Sequence, residues 1–314
     1  MTQTRTMKMT RFFPGILAIC LSTTLSAGES CGPRSLALTF DDPPLPDTQV
    51  MTGELRTQLI INALRENGVD GAMFFSVSSR IDESNVDRMN AYAEAGHVIA
   101  NHSHTHANLH NVGAEAFLED VQQADEILSG MPGFEPYFRF PYLNEGNTEE
   151  QRDLVRAALE EMDYQQGYVT IDNYDFYIDR LIREAFDADP HLDLKAIGAL
   201  YVEMMMGAAE HYDAIACQWL KRSPAHVLLL HENDAAALFL PRMINEFREQ
   251  GWSFIPAREA FQDPISEAIP DTLVLGQGRV AALAAVAGAE PASLRHEGED
   301  TEILDAAFQE AITP

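Results

Sequence analysis

Ser35-Leu36-Ala37-Leu38-Thr39-Phe40-Asp41-Asp42 is an apolar run that ends in two adjacent carboxylates. A short apolar segment closed by polar residues, with a Pro-rich loop behind it (Pro43, Pro44, Pro46), predicts a buried strand. The following residues repeat this unit. Helical spacing runs from Leu55 to Glu66, and Gly68 marks its stop; a strand is expected at Ala72–Val77. A helix at Val86–Ala95 and a strand at His97–Ala100 come next, then a helix at Ala114–Leu128 and a strand at Tyr137–Phe140. A helix near Glu149–Met162 leads to a strand at Tyr168–Ile171. The alternation then breaks, because about 177–221 reads as a helical insertion too long for one crossover. Strands at Val227–Leu230 and Trp252–Ile255 flank a helix at Leu238–Gln250. Repeated β-α units call for a parallel sheet with helices outside, an open sheet or a barrel. Seven strands favour a barrel in one domain, placed at 28–263, with an acidic, Ala-rich extension at 264–314 that adds a helix or two or stays loose.

The 314 residues carry 21 basic and 49 acidic side chains, a formal charge of −28. So few cations cannot build the basic face that nucleic acid requires, nor an electrostatic grip on anionic lipid. Residues 1–27 have the opposite character: Arg5, Lys8 and Arg11 precede an apolar stretch from Phe12 to about Leu25, and small residues follow at Ser26, Ala27 and Gly28. This is the layout of a secretory signal peptide, too short to span a membrane. Cleavage there leaves no stable membrane span, predicts an exported protein, periplasmic or extracellular, and takes the charge to −31. Two cysteines remain, Cys31 and Cys217, whose pairing an oxidising compartment permits but the sequence leaves open.

In parallel α/β folds the working residues gather at the C-terminal ends of strands. Here those ends are unusually polar: Asp41-Asp42 after the first strand, Asn101-His102-Ser103-His104-Thr105-His106 after the third, Arg139-Phe140-Pro141-Tyr142 after the fourth, and His231 after Val227–Leu230. Two imidazoles four residues apart can converge on one divalent ion, with one of Asp41 and Asp42 as third ligand and a position open for water. The other Asp could act as a base, Arg139 could hold that base ionised, and His231 could deliver a proton.

Taken in order, these motifs resemble the polysaccharide deacetylases of carbohydrate esterase family four, which share the NodB homology domain. The resemblance runs from about Ser35 to Phe261. It implies a distorted (β/α) barrel around one Zn²⁺, or another divalent transition metal such as Co²⁺. It assigns Asp41 as catalytic base, Asp42, His102 and His106 as metal ligands, and Arg139 as partner of the base. It further assigns His231 as general acid, the backbone N–H of Tyr142 as an oxyanion donor, and Leu229 as a wall for the acetyl methyl. The motif that normally ends in Asp-Trp is Asp172-Asn173-Tyr174-Asp175-Phe176 here. Phe176 then stands in the place of the aromatic wall, and Asp175 is preferred to Asp172 as the residue that tunes His231. His104, in place of a tryptophan, reads as a subsite or solvated residue, and His110 as structural. The implied reaction removes N-acetyl groups from an N-acetylglucosamine-containing glycan. O-acetyl ester hydrolysis on a xylan-like polymer, or metal and glycan binding on a retired scaffold, are the alternatives.

Overall fold

The apolar run after Ser35 forms β1 (Arg34–Asp41), and α1 (Gly53–Glu66) starts behind Thr52, whose side chain accepts the Leu55 N–H. These belong to a computed structural model that describes Met1 and residues 31–189, 191–273 and 276–313. The expected leader at 1–27 lies, but for Met1, outside the described residues. Onward from α1 the chain lays down β2 (Met73–Ser76), α2 (Val86–Glu94), β3 (Val98–Asn101), α3 (Leu109–Val112), α4 (Ala114–Leu128), β4 (Phe134–Phe138), α5 (Glu149–Glu161) and β5 (Gln165–Gln166). Then come α6 (Asp175–Ala188), α7 (Leu194–Trp219), β6 (Ala225–His231), α8 (Asp234–Glu249), β7 (Trp252–Phe254), α9 (Ala257–Ala260), α10 (Arg279–Val286) and α11 (Thr301–Ile312).

The strands pair in parallel in the order β5-β4-β3-β2-β1-β6, and β7 pairs with the start of β1. Every residue of β2 and β3 is buried, as expected of a parallel sheet covered on both faces. The result is a curled, distorted half-barrel with helices outside. Register does the positioning: β1 and β6 pair from Ser35–Ala225 to Asp41–His231, so a carboxyl and an imidazole end side by side.

Two sequence expectations need correction. The fifth strand is only Gln165–Gln166, and Tyr168–Ile171 makes no ladder beyond an isolated bridge from Ile171 to Leu228. It touches β6 irregularly, with the Thr170 and Ile171 N–H groups both on the Val227 carbonyl and Leu229 N on the Ile171 carbonyl, while the Val169 carbonyl accepts from Arg279 N. The apolar character of this segment reports burial beside β6 rather than a regular ladder. Helix α8 also begins four residues before the expected Leu238, because Asn233 accepts the Ala236 N–H as its cap. The chain beyond 263 is not loose where it is described: α10 and α11 pack on α7, and α11 also on α6. Cys31 and Cys217 are disulfide-bonded, joining the chain just before β1 to the end of α7.

Candidate active site

Asp41 ends β1 and is buried, while Asp42, one residue on, leaves the strand at φ 77°. Among the described residues, five of the seven non-glycine positions with positive φ lie around this point: Asp42, Ser103, His106, Tyr142 and Leu143. Left-handed backbone at non-glycine residues is tolerated only where the surroundings fix it, and it concentrates at functional sites.

His102 and His106 stand on the loop after β3. Asp120 moors that loop from α4, accepting the N–H groups of His104 and Thr105 and the Thr105 hydroxyl at 2.7 Å. Asp42, His102 and His106 offer ligand atoms that lie within 4.8 Å of one another. The chemistry of the set fits a divalent cation. His102 Nδ1 donates to the Arg139 carbonyl at 2.8 Å, which leaves Nε2 with its lone pair toward the site. Burial lowers the pKa of both His102 and His106 to about 4, so both rings are neutral at pH 7, as ligands must be. Burial alone would raise Asp42, but His106, His231, Arg80 and His102 outweigh it and bring the carboxyl to about 2. Asp42 Oδ1 is buried without a well-formed hydrogen bond, although Arg80 Nη1 is 3.2 Å away, so it has a lone pair to give.

Asp41 Oδ2 lies 3.6 Å from His102 Nε2, and its other oxygen is held by Arg139. Arg139, 1% exposed, donates from Nη1 to Asp41 Oδ1 at 2.6 Å and to Thr39 Oγ1 at 2.8 Å, and its guanidinium lies 3.9 Å over the Phe75 ring. Burial pushes the Asp41 carboxyl above its ordinary value in spite of Arg139, which favours proton affinity in a group that still carries a charged partner.

His231 ends β6 opposite Asp41. Its Nδ1 donates to Asp175 Oδ1 at 2.6 Å and its backbone N–H to Oδ2 at 2.8 Å. Burial alone would lower the imidazole, but the Asp175 charge and hydrogen bond, with Asp42 and Asp41 behind them, raise it to about 10. The next residue, Glu232, is fully buried and anchors this strand end, accepting from Arg88 at 2.7 Å, Tyr92 OH at 3.0 Å and Leu45 N at 2.8 Å. Removing one partner from such a buried network costs about 3–5 kcal/mol.

One cavity of about 360 Å³ is lined by Asp41, Asp42, His102, His106, Tyr142, Leu143, Asp172, Asn173, Tyr174, Phe176, Leu229, His231 and Gly276. Thus the candidate ligands, Asp41, His231, Tyr142, Leu229 and Phe176 meet at one opening, with Arg139 and Asp175 immediately behind it. Tyr142 is 57% exposed and its ring meets His106 edge-on, while Phe176, 45% exposed, stands edge-on to His231. Asp172 makes no hydrogen bond to His231; the bond belongs to Asp175. His104 is not in the cavity lining and binds Ser78 Oγ at 2.8 Å; His110 is exposed on α3. Sequence reasoning missed Arg80, Asp120 and Gly276. Asp120 had a signal, since it sits on the apolar stripe of α4 with Phe117, Val121 and Ala124. Arg80 and Gly276 had none.

A curled parallel sheet with an Asp-Asp pair, a His-x₃-His loop, a buried Arg and a His at its strand ends defines the NodB-type deacetylase class, and the family model for polysaccharide deacetylase matches residues 29–167. Within those residues the chain is similar to this family. It is 32% identical over 136 residues to a peptidoglycan-N-acetylglucosamine deacetylase of Bacillus cereus, covering 41% of this chain and 46% of that protein. It is 25% identical over 232 residues to a putative polysaccharide deacetylase, YheN, of Bacillus subtilis, covering 73% and 69%. The chain thus spans about half the length of the first relative. Among solved structures, a mutant of a CE4 family pseudoenzyme has a TM-score of 0.52 at 17% identity, over 74% of this chain and 68% of that one, a likeness of fold.

Proposed function

We propose that this protein is an exported, metal-dependent deacetylase that hydrolyses N-acetyl groups of an N-acetylglucosamine-containing glycan and releases acetate. One observation carries the reading: a candidate metal triad shares a cavity with two separately tuned proton carriers, Asp41 and His231. The Bacillus cereus peptidoglycan-N-acetylglucosamine deacetylase and the Bacillus subtilis polysaccharide deacetylase relative support the same direction. Export is supported by the leader-like composition of residues 1–27 and by a disulfide, which persists in oxidising compartments. Among the described residues no helix is long and apolar enough to cross a membrane.

Asp42, His102 and His106 would hold the cation, Zn²⁺ or a similar transition metal by the nitrogen-rich donor set. Such an ion polarises the acetyl carbonyl and makes water more acidic. The remaining chemistry belongs to the chain. Asp41, with Oδ1 fixed by Arg139, takes the proton of the attacking water on its other oxygen. The Tyr142 N–H is assigned to the oxyanion that develops. His231, protonated and oriented through Nδ1 by Asp175, gives its Nε2 proton to the departing amine. Leu229 and Phe176 supply apolar surface for the acetyl methyl and the sugar face.

The test is acetate release from chitin oligomers, peptidoglycan and acetylated xylan, with Zn²⁺ or Co²⁺ supplied. Turnover of the first two supports the proposal. Turnover of xylan alone assigns an O-acetyl esterase, and no release from any of the three overturns hydrolysis in favour of binding.

A further inference from the structure

The cavity contains one carboxyl that the mechanism does not use. Asp172 lines it, is 6% exposed, and accepts one hydrogen bond at Oδ1, from Asn173 N at 2.8 Å. Its other oxygen has no hydrogen-bond partner among the described residues, nor is it among the atoms sealed from solvent. It therefore presents an unpartnered oxygen to the cleft.

Behind Asp172 the last part of the chain delivers a second buried carboxyl, Glu299, 5% exposed. Glu299 accepts from the Tyr212 hydroxyl of α7 at 2.5 Å, from Gln277 Nε2 at 2.8 Å and from His296 N at 3.1 Å. The neighbour of Gln277, Gly276, is part of the cavity wall and donates to the Leu143 carbonyl at 3.3 Å. Two neighbouring buried carboxyls cannot both hold full charge cheaply, and hydrogen-bond donors decide which one does. Glu299 has three donors and Asp172 has one, so the proton belongs on Asp172.

We propose, resting on the deacetylase reading, that Asp172 is a substrate-contacting residue that donates a hydrogen bond to an oxygen of the sugar bearing the acetyl group, and that Glu299 keeps it in the donor form. The surroundings bear this out. Burial, and then the Glu299 charge, push Asp172 well above the ordinary carboxylate range, against the pull of Asn173 N–H, His231 and Arg295. Arg139 also interacts electrostatically with Asp172, and Tyr174 and Tyr212 are the other titratable neighbours. A neutral donor suits a glycan hydroxyl or carbonyl and carries no charge that would compete for the cation.

The test is steady-state acetate release by the full, metal-loaded chain on N-acetylglucosamine oligomers. Asp172→Ala is expected to raise KM about tenfold, with kcat within about threefold, as befits a lost hydrogen bond in binding. Asp172→Asn keeps a donor and should hold KM within about threefold of the wild type by the same reasoning. Glu299→Gln lets Asp172 ionise more easily, so the rise of KM toward alkaline pH should begin at lower pH. Unchanged KM in Asp172→Ala, equal loss of kcat in the Ala and Asn variants, or an unmoved pH profile in Glu299→Gln overturns the inference while leaving the activity standing. No turnover by the wild type overturns the activity, and the inference with it.

Discussion

His102 donates a hydrogen bond from Nδ1 to the carbonyl oxygen of Arg139 at 2.8 Å, and the guanidinium of the same Arg139 grips Asp41 at 2.6 Å. A candidate metal ligand and the candidate base are therefore keyed to the backbone and the side chain of one residue. A shift of Arg139 must disturb both.

Metal content separates the ligands from their neighbours. His102→Ala and Asp42→Ala are each expected to lose the transition metal and all measurable acetate release. Elemental analysis of the purified variants checks this, and full occupancy in either would remove that residue from the ligand set.

Base and ligand should come apart in Asp41→Asn. The amide preserves size but cannot take a proton, so metal content should stay near one ion per chain while kcat falls by about 10²-fold or more. Arg139→Ala should reduce kcat less, about tenfold to a hundredfold, because the base remains but is no longer held. Equal metal loss in Asp41→Asn and Asp42→Ala would merge the two roles.

The pH profile reports His231. A general acid must be protonated, so activity falls as pH rises through its pKa, which the chain's own groups place at about 10. A bound cation pulls that value down, and Asp175 holds it up. Asp175→Asn should therefore move the alkaline limb toward lower pH by about one unit or more, toward the ordinary histidine value. An unmoved limb would show that another group sets it.

Asp263 offers a stability test away from the chemistry. It accepts from Arg222 at 2.9 Å and from the N–H groups of Ala225 and Ile265, and burial, which raises its pKa, is outweighed by these bonds, so the carboxyl sits below its ordinary value. A depressed carboxyl stabilises the fold above its unfolded pKa, near 3.8, and loses that contribution as pH falls through the folded value. Asp263→Ala should cost about 1–3 kcal/mol at pH 7. The deficit against wild type should shrink in denaturant titrations below about pH 4.

The Cys31–Cys217 bond closes a loop of 186 residues. Cys217→Ser should lower stability by up to about 4–5 kcal/mol on chain entropy alone, and by less if the unfolded chain retains structure. Since neither sulfur touches the cavity, activity well below the melting point should be kept. Thermal melts with and without reductant, beside acetate release, measure both.

The candidate site was legible wherever its residues lie in a contiguous motif at a strand end. Asp41-Asp42, His102 with His106, Arg139 and His231 are of that kind. The choice between Asp172 and Asp175 was harder, because it depends on where α6 begins relative to β6 across 56 residues. Asp175 is the first residue of that helix, which points its carboxyl at His231, whereas Asp172 lies in the preceding turn. Arg80, Gly276 and Glu299 reach the site by tertiary packing from segments with no motif of their own. The false strand at Tyr168–Ile171 has a related cause: side chains of Arg139 and Thr170 take part in backbone pairing that a ladder would otherwise claim.

Gly276 N binds the Leu143 carbonyl, one residue beyond Tyr142, from a stretch that no family motif covers. The candidate site is consequently not complete within residues up to 263. A chain cut there would keep Asp41, the His pair, Arg139 and His231, yet would lose Gly276 from the cleft lining and its bond to the Leu143 carbonyl. Grafting the motif-bearing part alone onto another protein would carry the chemistry without its container.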